Sequence, residues 1–418
     1  MAKIQLREFE ITNNGFLPSI PPLSELDNGY YAPWDEVARN LPELIRLRTL
    51  RKKIIRLPIL STEHLTTEPE WRRAHTILTF IAHAYIWCGE EPEEVLPAPI
   101  SVPLLATARH VELPPVLTCA TVNLWNYTLK ASSLSNPDDI EIHTTFTGTE
   151  SEAWFLAIGT AVEAKGAHLV QPLLDAFLAV PTKDYATIAR SLALLRDSLS
   201  EMTTILGRMP EKCDPMTFCH QVRPFYAGSK GMANAGLPRG VFYEDGNGKG
   251  QWFQLPGGSN GQSALLQLFD IALGLGYCKS DDPARKREGY YYNTRECTPG
   301  PHRRFLALVG ELGSIRNLCL EQQSELTDEQ AELREAYKAA VEALALFRSK
   351  HIQIVTRFVT MPLRHSWQNS AQSVHMPGLL PSGLRDNEKY GTAGTPVLQF
   401  LKKLRNETTM AGELAGSI

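Results

Sequence analysis

At 418 residues the chain is longer than one ordinary domain and suits two or three. With 43% hydrophobic and 21% charged residues it has the composition of a soluble globular protein, which excludes disordered and fibrous architectures. The formal net charge of −4, with acidic and basic residues interspersed, gives no footing for a nucleic-acid partner, and no run of about 18 apolar residues offers a membrane span.

The N-terminus, MAKIQLREFEITNNG, lacks the apolar stretch of a secretory signal, so a cytoplasmic protein is expected. The seven cysteines form an odd set without CxxC or CxxCH, which argues against zinc knuckles and thioether-tethered cofactors and for free buried thiols.

The first 35 or so residues mix Pro, Gly and Asn with single apolar residues and read as an extended arm. From Asp35 apolar residues recur at helical spacing (Leu41, Leu44, Ile45, Ile54), and the capping-box pair Thr67 and Glu70 opens a further helix. Residues 96–115 carry five prolines, which predicts no continuous helix and places a domain boundary there. The expected organisation is a small N-terminal domain over 1–110 and a large all-helical domain over 111–418.

Helices are expected over 116–130, over 150–180 behind Thr149 and Glu152, and over 183–208. Asp214 and Pro215 form a cap and first-turn proline for a helix reaching about Tyr226. Glycine-rich loops follow at 228–231, 244–250 and 256–263, before SALLQLFDIALGL resumes helical spacing. The longest helix should run from the Thr327/Gln330 capping box to Met361, ahead of Pro362. Residues 363–395, rich in Ser, Gly, Pro and Asn, read as a mobile loop before a short final helix from about Pro396 to Asn406.

Three features carry chemistry. His351 stands among Leu344, Phe347, Ile354, Val355 and Phe358 at three- and four-residue steps, so it points inward, either as a satisfied core histidine or as a metal ligand. PGGSNGQS has neither a P-loop lysine nor the GxGxxG spacing, which excludes nucleotide binding; its glycines suit close approach to a flat ligand, or a plain surface turn. Arg223, one helical step from Phe218 and Cys219, could grip a carboxylate or form a surface ion pair. His220, His302, His365 and His375 do not group as a metal cluster, and no GxSxG or HExxH supports a hydrolase.

Five ordered blocks, ELPPVL at 112–117, GGSNGQS with QLFDIALG, LREAYKAAVEAL, SKHIQIVTRFV and the tail GTAGTPVLQFLKKLR, resemble indoleamine 2,3-dioxygenases over about 300 residues. The resemblance implies a small domain packed on a large helical one, with haem b between them and its iron held by a single proximal histidine, here His351. It places Arg348 and Asp270 as a polar pair at the proximal haem edge, and Gly258 and Ser259 in the loop over the haem. On the distal side it places Phe218 and Phe155 against the indole ring and Arg223 on the substrate carboxylate. Gly391 and Thr392 match a loop that closes on substrate.

Cys119 stands where the family commonly has tyrosine and Gly159 where it has serine, both in the pocket. Gly159 removes a hydroxyl from the distal face and enlarges the cavity, while Asn260 adds an amide. The implied reaction cleaves the indole C2–C3 bond of L-tryptophan, or of a related indole, with O2 to give N-formylkynurenine, the first step of the kynurenine pathway. A reductant keeps the iron ferrous, the enzyme is expected to be a monomer, and no acid–base dyad is required. Two other readings fit the same residues: a haem oxygenase of a different indole, and a non-catalytic haem-binding sensor on the same fold.

Overall fold

The structure, a computed structural model, describes residues 4–275, 294–321, 325–363 and 397–416. It is 63% helical and 5% strand, so the mainly α expectation holds. Among the described residues no helix is long and apolar enough to cross a membrane.

The arm is irregular, with 3-10 turns at Leu6–Phe9 and Gly29–Tyr31, yet Phe16, Leu17 and Leu26 are buried. The Phe16 ring lies 5.0 Å from His302 and 6.1 Å from Phe305, anchoring the arm to a helix almost 300 residues later. Three short helices follow, α1 (Ala32–Arg39), α2 (Leu41–Arg46) and α3 (Leu50–Ile55). Helix α4 (Glu68–Trp87) begins at the expected Thr67/Glu70 capping box, and every residue from Arg73 to Trp87 is buried, as befits a helix surrounded by others.

The proline-rich segment does contain a helix, contrary to expectation. After strand β1 (Val95–Leu96), α5 spans Ala98–His110 with Pro97 as its N-cap and Pro99 in its first turn, where a missing N–H has no helical partner to lose. Pro103 interrupts one further bond, and burial of Ile100, Leu104 and Ala108 holds the helix together. The helix expected over 116–130 is instead a π-helical turn, Ala120–Leu124, followed by β2 (Tyr127–Leu129), which pairs antiparallel with β3 (Ile140–Ile142).

The 150–180 segment divides at a 3-10 turn into α6 (Glu150–Gly166) and α7 (Val170–Ala179), and α8 (Tyr185–Gly207) starts at the Asp184 cap. Asp214 caps α9 (Pro215–Thr217), its Oδ1 accepting the Thr217 N–H at 2.7 Å. The expected helix to Tyr226 does not stay α-helical: a π-helical turn, Phe218–Val222, passes into a 3-10 turn, Arg223–Tyr226, at Pro224. The glycine-rich 244–250 stretch is a hairpin turn joining β4 (Val241–Glu244) to β5 (Gly250–Phe253). Because β1 pairs with β4, this small sheet ties residues before 110 to residues after 240.

Among the described residues there follow α10 (Ala264–Ala272), α11 (Gly300–Glu311), α12 (Ile315–Cys319) and α13 (Asp328–Val355), the last opening on the expected Thr327/Gln330 capping box. A π-helical turn, Thr356–Thr360, extends α13 to Leu363. The final helix, α14 (Val397–Gly416), runs past the expected Asn406. Helix α13 packs on α8 and α14, so its inward face is enclosed on two sides. The expected loop over 363–395 lies, apart from Leu363, outside the described residues.

Candidate functional site: a one-histidine cavity

The inward face of α13 forms one wall of a cavity of about 280 Å³. Leu344, Phe347, Arg348, His351, Ile354, Val355 and Phe358 all line it, at the three- and four-residue steps that put them on one helical face. Burial pushes the His351 imidazole down to about 4, so it is neutral at physiological pH. No group among the described residues hydrogen-bonds to the ring. Three residues earlier, Arg348 forms a buried ion pair with Asp270 of α10 and also donates to Thr408 of α14. Both members of this pair line the cavity, and burial raises the Asp270 carboxyl while Arg348 opposes that rise.

The opposite wall comes from α6 and the π-helical turn after α9. The Phe155 and Phe218 rings approach to 4.8 Å at 58°, and Phe218 meets Phe358 edge-on at 6.2 Å, joining the two walls. Tyr226 stands edge-on to Phe155 at 5.7 Å. Arg223 lines the same cavity, and burial lowers its pKa. A guanidinium stays charged even so, giving the apolar chamber a fixed cationic anchor.

The third wall is the loop 257–262. Ser259 caps a short turn, its Oγ accepting the Gly261 N–H at 3.3 Å. Buried Gln262 fastens the loop: Oε1 accepts the N–H groups of Cys119 at 2.9 Å and Ser259 at 3.3 Å, while Nε2 donates to the Gly257 carbonyl at 2.9 Å. A Cβ added at Gly258 would meet Leu117 at 3.6 Å and Tyr226 at 3.7 Å, ordinary contact distances. Packing within the protein therefore does not demand glycine there, whereas close approach of a flat ligand would.

The structure thus gathers His351, Arg348, Asp270, Phe155, Gly159, Phe218, Arg223, Gly258, Ser259 and Asn260 around one cavity. Cys119 sits behind this lining, fully buried, in contact with the lining residue Asn123. Gly391 and Thr392 fall outside the described residues. Sequence reasoning missed Gln262, although Ser259 and Gln262 spell a capping box. It also missed Glu163, which lines the cavity and is pushed up to about 7 by burial, an effect partly offset by a hydrogen bond from Ser263. Asn123 was missed as well, because a lone Asn in an apolar stretch carries no periodic signal.

A neutral imidazole on the cavity wall, among aliphatic and aromatic side chains, has the chemistry of a nitrogen ligand that would hold the iron of a haem. Among the described residues no cluster of three or more His, Cys, Asp or Glu could hold a bare metal ion.

Fold and cavity together define a helical protein in which one histidine and two arginines face a largely apolar chamber. The family model for indoleamine 2,3-dioxygenase matches residues 5–411. An indoleamine 2,3-dioxygenase of Penicillium citrinum is 36% identical over 406 residues, covering 95% of this chain and 86% of that protein. The human indoleamine 2,3-dioxygenase 2 is 32% identical over 97% of this chain and 95% of its own length. A Fusarium equiseti relative named 6-hydroxytryptophan 2,3-dioxygenase is 34% identical, with 94% of each chain covered. The chain belongs to the indoleamine 2,3-dioxygenase family and is a dioxygenase acting on indole substrates.

Proposed function

We propose that the chain is a cytoplasmic enzyme that holds haem b through His351 and cleaves the indole C2–C3 bond of L-tryptophan with O2, yielding N-formylkynurenine. The observation that carries this reading is the pairing, in one cavity, of a neutral imidazole that no described group hydrogen-bonds with a half-buried guanidinium. Haem, kept ferrous by an electron donor, supplies the binding and activation of O2. Both oxygen atoms enter the product, one at each carbon of the cleaved bond, so no proton relay from the protein is needed.

The chain's own residues orient and enclose. Arg223 takes the substrate carboxylate through charge-assisted hydrogen bonds, which fixes one end of the amino acid. Phe155 and Phe218, packed on each other, hold the indole ring so that its C2–C3 edge is presented to the reacting face. The ion pair of Arg348 with Asp270, one turn before His351, fixes the helix that carries the ligand. Domain 1–110 packs against domain 111–418, whose residues line the whole cavity, and one chain suffices for a complete site.

The test is an absorption spectrum of the haem-reconstituted protein under reducing conditions, then L-tryptophan in air. A Soret band followed by N-formylkynurenine is expected, and His351→Ala should abolish both. A colourless protein would overturn the reading, and a Soret band without product would move it to a sensor.

A further inference from the structure

Beside the apolar walls, the cavity contains a polar cluster that the reaction just described does not use. Asn123, on the π-helical turn Ala120–Leu124, is only 3% exposed and lines the cavity. Its Nδ2 lies 3.4 Å from the Sγ of Cys119, an ordinary distance for sulfur, and 3.4 Å from the Oδ1 of Asn260, at the far limit for an oxygen acceptor. A thiol sulfur is a weak acceptor, so the amide's donors are poorly met. Its Oδ1 receives no hydrogen bond from any described residue. Buried carboxamides are normally satisfied, and an under-satisfied one facing a cavity is a group awaiting a polar partner.

Gly159 belongs to the same device. A Cβ at that position would stand 2.6 Å from the Asn123 Oδ1, a distance real Cβ atoms do not tolerate. Glycine on α6 therefore creates the space that the Asn123 carboxamide occupies, and the two positions act as a pair. Gly159 lies one helical turn beyond Phe155 on the same face, about 6 Å away. An amino acid with its carboxylate at Arg223 and its ring against Phe155 and Phe218 would direct the far edge of that ring toward Gly159, Asn123 and Asn260.

We infer that Asn123, with Asn260, is a specificity-determining subsite that hydrogen-bonds a hydroxyl group on the six-membered ring of the indole substrate. This rests on the reading of the cavity as the site of an indole amino acid dioxygenase. A site built to hydrogen-bond a substrate hydroxyl discriminates strongly against the analogue lacking it, because its own polar groups are then left unpaired.

The experiment compares L-tryptophan with ring-hydroxylated and ring-methylated tryptophans in the haem-loaded enzyme. It uses kcat/KM and, separately, the dissociation constant from the substrate-induced change in the ferric haem spectrum. The hydroxylated substrates should exceed the size-matched methylated ones by about tenfold or more in both measures. Asn123→Val should remove that ratio, and so should Gly159→Ser, which displaces the carboxamide through α6 without altering Asn123. A ratio near one in the parent enzyme, or a ratio that survives both substitutions in folded, haem-loaded protein, would overturn the inference while tryptophan turnover leaves the general function standing. Absence of turnover and binding with every indole would overturn both.

Discussion

Arg348 and Asp270 meet across α13 and α10 as a buried ion pair, one turn before the histidine that faces the cavity. The pair lets a carboxylate and a guanidinium share a wall whose other members are His351 and apolar side chains. Removing one member leaves the other buried and uncompensated, which typically costs about 3–5 kcal/mol. Arg348→Ala should lower the thermal midpoint sharply and weaken haem retention, measured by melting and by haem transfer to apomyoglobin. The double variant Arg348→Met with Asp270→Leu should recover most of the stability but not the haem retention. Equal recovery of both would show that the pair does not position His351.

On the proposed reading Arg223 acts on substrate and not on the haem. Arg223→Ala should lower kcat/KM for L-tryptophan by about a hundredfold or more, equivalent to about 3 kcal/mol, with an unaltered Soret band. Arg223→Lys should restore part of the loss, since it keeps the charge but not the planar fork. Unchanged turnover in the alanine variant would remove the carboxylate role.

Glu163 gives the protein a pH dependence of known sign. Burial raises its carboxyl from 4.5 to about 7, so the folded protein keeps a proton that the unfolded chain has already released. Its contribution to stability is intact below about pH 4.5 and is lost as pH rises through 7. Glu163→Gln cannot ionise, so it should melt several degrees above the parent at pH 8 and level with it at pH 5. Parallel melting curves at every pH would contradict this.

Buried histidines act in the opposite direction. His75, His83 and His302 are pushed from 6.5 to about 3, 4 and 3 by burial, so the unfolded chain takes up protons that the folded one refuses. Their contribution is complete above pH 6.5 and falls as pH drops toward 4, by about 2 kcal/mol per group at pH 5. His143 and His351, each lowered to about 4, shift in the same sense, so these histidines make the melting temperature fall as pH drops from neutrality. His302→Gln should flatten the acid limb; an unchanged slope would count against it.

Gln262 holds the loop over the cavity by three hydrogen bonds. Gln262→Ala strands the buried Cys119 N–H and should cost about 1–3 kcal/mol. Hydrogen exchange should speed up at the Cys119 and Ser259 amides. Unaltered protection there would mean the loop is held by other contacts.

The helical class, the caps at Thr67, Asp214 and Thr327, and the inward aim of His351 were legible from periodicity and capping chemistry, because both are written in residues three or four apart. Helix α5 was not, since its prolines argue locally against a helix that tertiary burial of Ile100 and Leu104 sustains. The strand pairing of β1 with β4 escaped for a related reason: its partners lie almost 150 residues apart, and each strand is too short to leave a pattern. The π-helical turns at Ala120–Leu124 and Phe218–Val222 were also invisible, as an extra residue in one turn has no compositional mark.

By itself the sequence aimed His351 inward and set Arg223 one helical step from Phe218, with a plain structural reading open for each; the roles of ligand, anchor and ring clamp for His351, Arg223, Phe155 and Phe218 came from its resemblance to indoleamine 2,3-dioxygenases. Only the tertiary structure decided that they face one cavity, that Asn123 occupies the volume Gly159 leaves open, and that Glu163 is buried enough to hold its proton near neutrality. Those are relations between helices distant in the chain, and they depend on packing and desolvation, which no local pattern encodes.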